Sequence, residues 1–143
     1  MNETIEKFGY PATLLHELDH WVILLRPAQP TLGSLVLAAK SDAVDFSALP
    51  PESFGELRQA TGLIESALSR FVDYSKINYL MLMMVDPHVH YHVIPRYSGT
   101  REFAGTTFAD AGWPKMPDLA AAVALDAERI ETIKGELGAL FED

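Results

Sequence analysis

Three histidines occupy every second position of one short segment: His88, His90 and His92. A neutral imidazole keeps a lone pair on one ring nitrogen, so it can act as a nucleophile, move a proton or bind a metal. Three imidazoles close together resist simultaneous protonation, because like charges disfavour the charged form. At least one ring therefore stays neutral near pH 7, and the segment predicts nucleophilic or proton-transfer chemistry.

The alternation predicts that a β-strand positions these rings. Successive side chains of a strand point to opposite faces, so the three histidines share one face. The residues that point the other way, into a core, are Val89, Tyr91 and Val93. Pro95 is expected to end the strand, because proline has no N–H to donate to a neighbouring strand.

Composition bounds the rest of the chain. Its 143 residues are enough for one domain with a substantial core. Eleven basic and twenty acidic residues give a net charge of −9, and such a surface repels a nucleic acid polymer. The chain has no cysteine, which excludes disulfides and thiolate metal sites and fits a cytoplasmic location. No apolar run reaches the ~18 residues of a membrane span, and the polar N-terminus shows no secretory pattern.

Hydrophobic patterning indicates the elements around the histidine strand. They are strands at Trp21–Leu25, Leu35–Ala39 and Ile77–Val85, a helix opening at Pro50-Pro51, a long loop over residues 98–117 and a helix over residues 117–141. Ile77–Val85 is continuously apolar and is expected to be a central strand. Groups of strands with helices between them indicate an α+β fold on a mostly antiparallel sheet.

The residues alone leave two other interpretations of the histidines open. One is an ordinary strand whose polar face happens to carry histidines. The other is a zinc site, because strand residues two apart lie about 7 Å apart, and His88 and His90 can share an ion at that spacing. The outer pair, His88 and His92, lies about 13 Å apart, so a third ligand must come from elsewhere.

A second histidine pair, His16 and His20, matches the H-E-x-x-H pattern of zinc peptidases. That pattern binds zinc on a helix, where residues four apart share a face. The residues that follow, Trp21–Leu25, have the character of a strand. We therefore interpret the match as coincidental.

The segment HVHYHVIPR, from His88 to Arg96, resembles the signature of the histidine triad (HIT) family of nucleotide hydrolases and transferases. Wider similarity runs over about residues 8–97 and takes in the segments that start at Arg26 and Lys76. The resemblance implies an α+β, HIT-like fold: a mostly antiparallel five-stranded sheet, a helix between strands and a C-terminal helix. It implies one domain over residues 1–143, with its core at about 8–97 and a C-terminal loop and helix over 98–143, and usually a homodimer.

The resemblance also implies a mechanism. His90, the middle histidine, attacks the α-phosphorus of a nucleotide and forms a covalent nucleotidyl-histidine, which water or another acceptor then cleaves. Dinucleoside polyphosphates and adenosine phosphoramidates are the substrate classes that it suggests. No cofactor is required, although Mg²⁺ can accompany the substrate phosphates.

Five further residues receive expected roles. His92 is expected to donate a proton to the departing oxygen, and His88 to orient or neutralise. Asn78 stands where family members often place an amide that contacts phosphate, and Arg96 is the nearest cation in sequence. Ser34 occupies the place of a further family histidine, and we expect Asn78, Arg96 and Ser34 to bind substrate. Strand-end polar roles remain the alternative for Asn78 and Arg96.

Two departures from the family pattern bear on the substrate. The segment Leu82–Asp86 replaces a Gly-rich or Gly-Asn element, which makes the approach to the histidines more apolar. Arg26 stands where a carboxylate or amide usually touches the ribose. The change implies a differently held nucleoside, an extra phosphate, or a site that no longer serves nucleotides.

Three hypotheses follow from the sequence. The first is a metal-independent enzyme that cleaves a nucleoside phosphate ester, anhydride or phosphoramidate through His90. The second is a catalytically weak nucleotide-binding or partner-binding module on the same fold. The third is a zinc protein that uses His88 and His90.

Overall fold

The computed structural model describes residues 1–142, which fold around one antiparallel sheet. Three α-helices and nine strands lie within these residues. In chain order they are α1 (Glu3–Lys7), β1 (Leu14–Glu17), β2 (Trp21–Leu25), β3 (Ala28–Gln29), β4 (Leu35–Ala39), α2 (Pro51–Val72), β5 (Lys76–Leu80), β6 (His90–Arg96), β7 (Thr100–Phe103), β8 (Thr106–Ala109), β9 (Val123–Ala124) and α3 (Ala127–Ala139). Five strands form the central sheet in the order β1-β2-β4-β6-β5, with every neighbouring pair antiparallel. The predicted α+β class and five-stranded sheet are confirmed.

Hydrophobic side chains cover both faces of the sheet. On one face, Ile23 of β2 belongs to the larger core together with Ile64 of α2. On the other face, Val36 of β4 belongs to a smaller cluster with Ile5 of α1. His92 of β6 lies directly opposite Val36 in the ladder, and directly opposed residues share a face. The histidine face is therefore the face that α1 covers.

The elements with clear sequence boundaries form as predicted. Strands β2 and β4 have the predicted bounds, and both are fully buried, as their unbroken apolar sequence requires. Helix α2 opens at Pro51, where the fixed φ of proline suits the first turn and its missing N–H costs nothing. No helix within residues 1–142 is both long and apolar enough to cross a lipid bilayer.

The prediction of a central strand over Ile77–Val85 is wrong. Strand β5 spans Lys76–Leu80 and lies at the edge of the sheet, paired only with β6. Beyond it the backbone turns away, with Met83 at a φ of 40° that a strand does not allow. Pro87 follows shortly after and disfavours any return to the ladder before β6.

Pro95 lies inside β6 rather than at its end. The pairing of β6 with β4 stops at Val93, whereas its pairing with β5 continues to Arg96. Beyond Val93 the strand is thus paired on one side only. Proline is tolerated there as it is in an edge strand.

The C-terminal third departs most from expectation. The predicted loop over residues 98–117 contains the hairpin β7–β8, whose turn places Ala104 and Gly105 at φ values of 49° and 80°. Helix α3 begins only after Asp126, so the predicted helix over 117–141 is too long. The Asp126 carboxylate accepts the N–H of Arg129 and caps the helix, which explains the late start. The preceding strand β9 pairs with β3.

Candidate active site

His90 is the first residue of β6 and only 2% of it is exposed. Its ring lies 5.1 Å from that of His92, centroid to centroid, in an edge-to-face arrangement. Phe8, just after α1, packs within 6 Å of both rings, at 5.6 Å and 5.7 Å. The three rings hold one another in place, so the two imidazoles cannot rotate freely.

A backbone hydrogen bond fixes the tautomer of His90. Its Nδ1 lies 2.7 Å from the main-chain carbonyl oxygen of His88. A carbonyl oxygen can only accept, so Nδ1 must carry the proton and donate. In the neutral ring the lone pair is then on Nε2, which is the atom available to attack an electrophile.

His92 has the opposite tautomer. The Nε of Arg26 donates to His92 Nδ1 over 3.3 Å, and a guanidinium N–H can only donate. The neutral His92 ring therefore carries its proton on Nε2. Burial is the main cause that lowers the pKa of His92 to about 4; the charge of Arg26, and the charge that His90 gains when it is protonated, act in the same direction, and Asp86 partly opposes the shift. The ring is neutral at pH 7.

His88 does not share the strand of the other two histidines. It precedes β6, is half-buried, and its Nδ1 lies 2.9 Å from the Thr4 hydroxyl of α1. The His88 N–H also donates to that hydroxyl, at 3.4 Å. The structure thus ties His88 to α1, and its carbonyl is the group that orients His90.

His90 and His92 line a pocket of about 270 Å³. Its walls combine an apolar part with a polar end, and the lining residues are Phe8, Arg26, Leu82, Met83, Met84, Val85, Asp86, His90, His92 and Leu119. This volume lies just below the usual range for small-molecule sites, which suits one small ligand or part of a larger one. The apolar segment Leu82–Val85 forms one wall, as the sequence predicts.

Asn78 and Arg96 lie on the histidine face but outside this pocket. Asn78 of β5 pairs with Ile94 of β6, two residues along from His92. The Arg96 side chain is buried, donates to both carboxylate oxygens of Asp110 at 2.7 Å and 3.1 Å, and donates to Asn78 Oδ1 at 2.8 Å. Both residues line a separate depression of about 560 Å³ along β5, which contains no histidine. Neither side chain touches the pocket of His90.

Ser34 is fully buried and lies outside both depressions. Its hydroxyl donates to the Thr31 carbonyl at 2.8 Å and accepts from the Thr31 N–H at 3.2 Å. These bonds close the turn that leads into β4. The structure gives Ser34 a role in that turn and does not bring it to the histidines.

The histidines of the H-E-x-x-H pattern lie elsewhere. His16 is in β1, where its ring stacks on Phe141 at 6.0 Å, and His20 is in the turn before β2. Neither is on a helix, as predicted. Within residues 1–142, no cluster of three or more His, Asp or Glu side chains is arranged to hold a metal ion. The Nδ1 atoms of His88 and His90 are also both occupied by hydrogen bonds.

The contributions of Thr4 and Phe8 were not predicted. Thr4 lies in the short helix α1 and Phe8 directly follows it, some 80 residues before the histidines in sequence. No sequence motif marks either residue. The polar N-terminus gave no sign that it covers the site. Only the packing of α1 against the sheet brings these side chains to His88 and His90.

The sheet and the paired imidazoles define an α+β protein with a histidine-based site. A family model for the HIT domain matches residues 8–99, so the chain belongs to the HIT domain family. No curated protein matches the chain.

Solved structures agree on the fold. A histidine triad protein from Marinobacter aquaeolei is 22% identical, with a TM-score of 0.68 over 96% of this chain and 93% of that chain. One from Bradyrhizobium japonicum is 19% identical, with a TM-score of 0.67 over 96% and 93%. A zinc-bound family member from Mycobacterium smegmatis is 19% identical, with a TM-score of 0.63 over 96% and 89%. At these identities the likeness establishes the fold.

The lowered pKa of His92 predicts a pH-dependent stability. The unfolded ring takes up a proton near pH 6.5, whereas the folded ring does so only near pH 4. The unfolded state therefore binds more protons between these values, and stability falls as the pH drops through this window. We expect His92→Gln to reduce the loss of thermal stability between pH 7 and pH 5. Parallel pH profiles for the wild type and the variant in thermal melts would contradict this expectation.

Proposed function

We propose that this protein is a nucleotide hydrolase or transferase that cleaves a nucleoside phosphate anhydride, ester or phosphoramidate through a covalent nucleotidyl-His90. The observation that carries the proposal is the bond from His90 Nδ1 to the His88 carbonyl, at 2.7 Å. It leaves the Nε2 lone pair free in a ring that Phe8 and His92 hold in place. An imidazole held at a pocket with its Nε2 free of protein hydrogen-bond partners is the arrangement that nucleophilic catalysis needs.

The chemistry proceeds in two displacements at phosphorus. The Nε2 lone pair of His90 forms a bond to the α-phosphorus, and the bond from phosphorus to the leaving group breaks with its electron pair. The His90 ring gains positive charge in this step, and the His88 carbonyl that accepts from Nδ1 stabilises that charge. Water or another acceptor then forms a bond to phosphorus, His90 departs, and the proton of the acceptor passes to solvent.

The other sequence-derived site residues contribute unequally. His92 lines the same pocket and offers Nε2–H to a substrate oxygen, which keeps it in the proposal. His88 contributes through its carbonyl, as a positioning residue. Asn78, Arg96 and Ser34 carry no direct substrate contact in the proposal, because their polar atoms are used within the fold.

A rapid-quench experiment tests the covalent step. Protein is mixed with diadenosine triphosphate or adenosine phosphoramidate, and the reaction is stopped within the first turnover by a denaturant that contains no acid. The protein is then digested for mass spectrometry. The expected result is an adenylyl mass increment on the peptide that contains His90. An active wild type without any such increment, at quench times that bracket one turnover, would remove the covalent mechanism.

A binding module without turnover is the second candidate, favoured by the apolar wall at Leu82–Val85. Such a wall supplies no polar groups to the developing charge of a phosphoryl transfer. Calorimetry with adenosine monophosphate and product analysis with the two substrates separate the candidates. Binding together with a complete absence of product would favour the module over the enzyme.

Pairing of two copies is also part of the proposal. The outer edge of β5 has no strand partner within residues 1–142. Large apolar side chains next to it are exposed, at 82% for Met84, 83% for Val85 and 79% for Met116. An unpaired edge beside exposed apolar residues favours association through that edge. Light scattering at micromolar concentration should give twice the chain mass; a monomer mass would contradict the homodimer.

The cytoplasmic location and the absence of a nucleic acid partner remain predictions.

A further inference from the structure

Arg26 brings a cation without a carboxylate partner to the pocket of His90. Its Nε donates to His92 Nδ1, its Nη1 donates to the Ala28 carbonyl, and the side chain is half-buried. Among residues 1–142, none of the ion pairs involves Arg26. Asp86 also lines the pocket, but its carboxylate lies 2.8 Å from the Lys7 ammonium.

This isolation is costly for a guanidinium. Burial lowers the pKa of Arg26, which means that the surroundings disfavour its charged form. Arg96, by contrast, is deeply buried but neutralised by Asp110. A cation that the protein leaves uncompensated beside a nucleophile is stabilised when a ligand brings an anion to it.

The three polar groups of the pocket are complementary to one kind of ligand. His90 presents a lone pair on Nε2, whereas His92 presents Nε2–H and Arg26 presents its remaining N–H groups. A phosphoryl group matches this set, because its phosphorus accepts a lone pair and its anionic oxygens accept hydrogen bonds.

We propose that Arg26 is a specificity-determining residue: its guanidinium binds the non-bridging oxygens of the phosphoryl group and holds His92 as a neutral Nε2–H donor. This inference rests on the proposed function. A neutral imidazole donates a hydrogen bond but is a poor proton donor, so the leaving group must depart as an anion without taking a proton. The site then favours a phosphoanhydride, in which the bond from His90 Nε2 to phosphorus forms, the P–O bond breaks, and the leaving phosphate keeps the electron pair.

Two variants separate the roles of Arg26. Arg26→Met removes the charge and all donors, and Arg26→Lys keeps the charge but not the planar fork that reaches His92 and a phosphate together. Arg58→Met is the matched control, because Arg58 is an exposed arginine of α2, on the opposite side of the sheet.

The first measurement does not require turnover. Imidazole ¹⁵N spectra at pH 7 should show His92 protonated on Nε2 in the wild type and in Arg58→Met. In Arg26→Met the two His92 tautomers should mix. Calorimetry with pyrophosphate should give an affinity at least about tenfold weaker for Arg26→Met than for the wild type, as expected for the loss of a charge-assisted contact. Unchanged His92 spectra with unchanged pyrophosphate affinity would overturn the inference.

The second measurement uses two substrates. For Arg26→Met, kcat/KM for diadenosine triphosphate should fall by about 10²-fold or more. The fall for adenosine phosphoramidate, whose nitrogen leaving group needs a proton, should be several-fold smaller, because loss of the Arg26 charge removes one of the causes that lower the pKa of His92 and so increases the protonated fraction of the ring. Equal losses on both substrates would overturn the leaving-group argument. If no variant and no wild type turns over either substrate, the proposed function fails, whereas the spectra and the pyrophosphate affinity still decide the role of Arg26.

Discussion

His90→Gln is expected to reduce turnover of a nucleoside phosphoanhydride by about 10⁴-fold or more. Loss of the nucleophile removes the two-step route, and groups that act with it cannot replace it. Glutamine is chosen because its amide can still donate to the His88 carbonyl that His90 contacts at 2.7 Å. The packing against Phe8 is then disturbed less than by alanine. The measurement is kcat under saturating substrate, with circular dichroism to establish that the variant is folded.

His16→Gln is the matched control for this experiment. His16 lies in β1 and stacks on Phe141, away from the pocket. His16 is half-buried, but it does not line the pocket, so its substitution should leave kcat within about twofold of the wild type. A folded His90→Gln protein with wild-type kcat would refute the role of His90, and the adenylyl adduct should be absent from that variant.

The placement of His90 and His92 on one strand could be predicted because its sequence signals are local. A side-chain period of two marks the histidine segment, and the apolar runs of β2 and β4 are each closed by proline, glycine or polar residues. The same logic predicts a helix that opens at Pro50-Pro51, and α2 begins at Pro51. His88 was the exception, since an alternating pattern cannot show where the ladder begins. The structure starts β6 at His90.

The contacts around the histidines could not be predicted, because the residues that make them are distant in sequence. Arg26 meets His92 across 66 positions, and the Thr4 hydroxyl meets His88 across 84. Arg96 was expected to serve the substrate as the nearest cation in sequence, but distance along the chain says nothing about direction. Its guanidinium points instead at Asp110, in a segment that was read as a loop.

The wrong predictions for the loop over residues 98–117 and the helix over residues 117–141 overlooked turn and capping signals that the sequence contains. Gly105, preceded by Ala104, separates two short runs that contain strand-favouring Thr and Phe residues, and it marks the turn of the β7–β8 hairpin. Asp126 lies inside the predicted helix over residues 117–141, although an aspartate before a helical run is also a good N-cap. Apolar periodicity over residues 117–126 instead belongs to turns and to β9, which pairs with β3.

Asp110→Ala is expected to lower the free energy of unfolding by about 3–5 kcal/mol, because it leaves the buried Arg96 without its counter-charge. The Arg96 and Asp110 side chains are 5% and 1% exposed, and two hydrogen bonds join them. Replacing both together, Arg96→Met with Asp110→Leu, should recover most of the loss, since no isolated charge then remains buried. Urea denaturation gives these values, with the slope of the transition as a check on two-state behaviour.

The exposed ion pair between Glu17 and Lys40 supplies the control for the stability measurement. The KM of Asp110→Asn tests whether Arg96 binds substrate. Glu17→Gln removes the exposed contact with Lys40 and should cost no more than about 1 kcal/mol. Since Asp110 and Asn78 occupy the Arg96 guanidinium, Asp110→Asn should change stability and leave KM within about twofold. If Asp110→Asn instead leaves the unfolding transition in place and raises KM tenfold, Arg96 reaches the substrate after all. The network around Asp110 would then position a binding group rather than stabilise the fold.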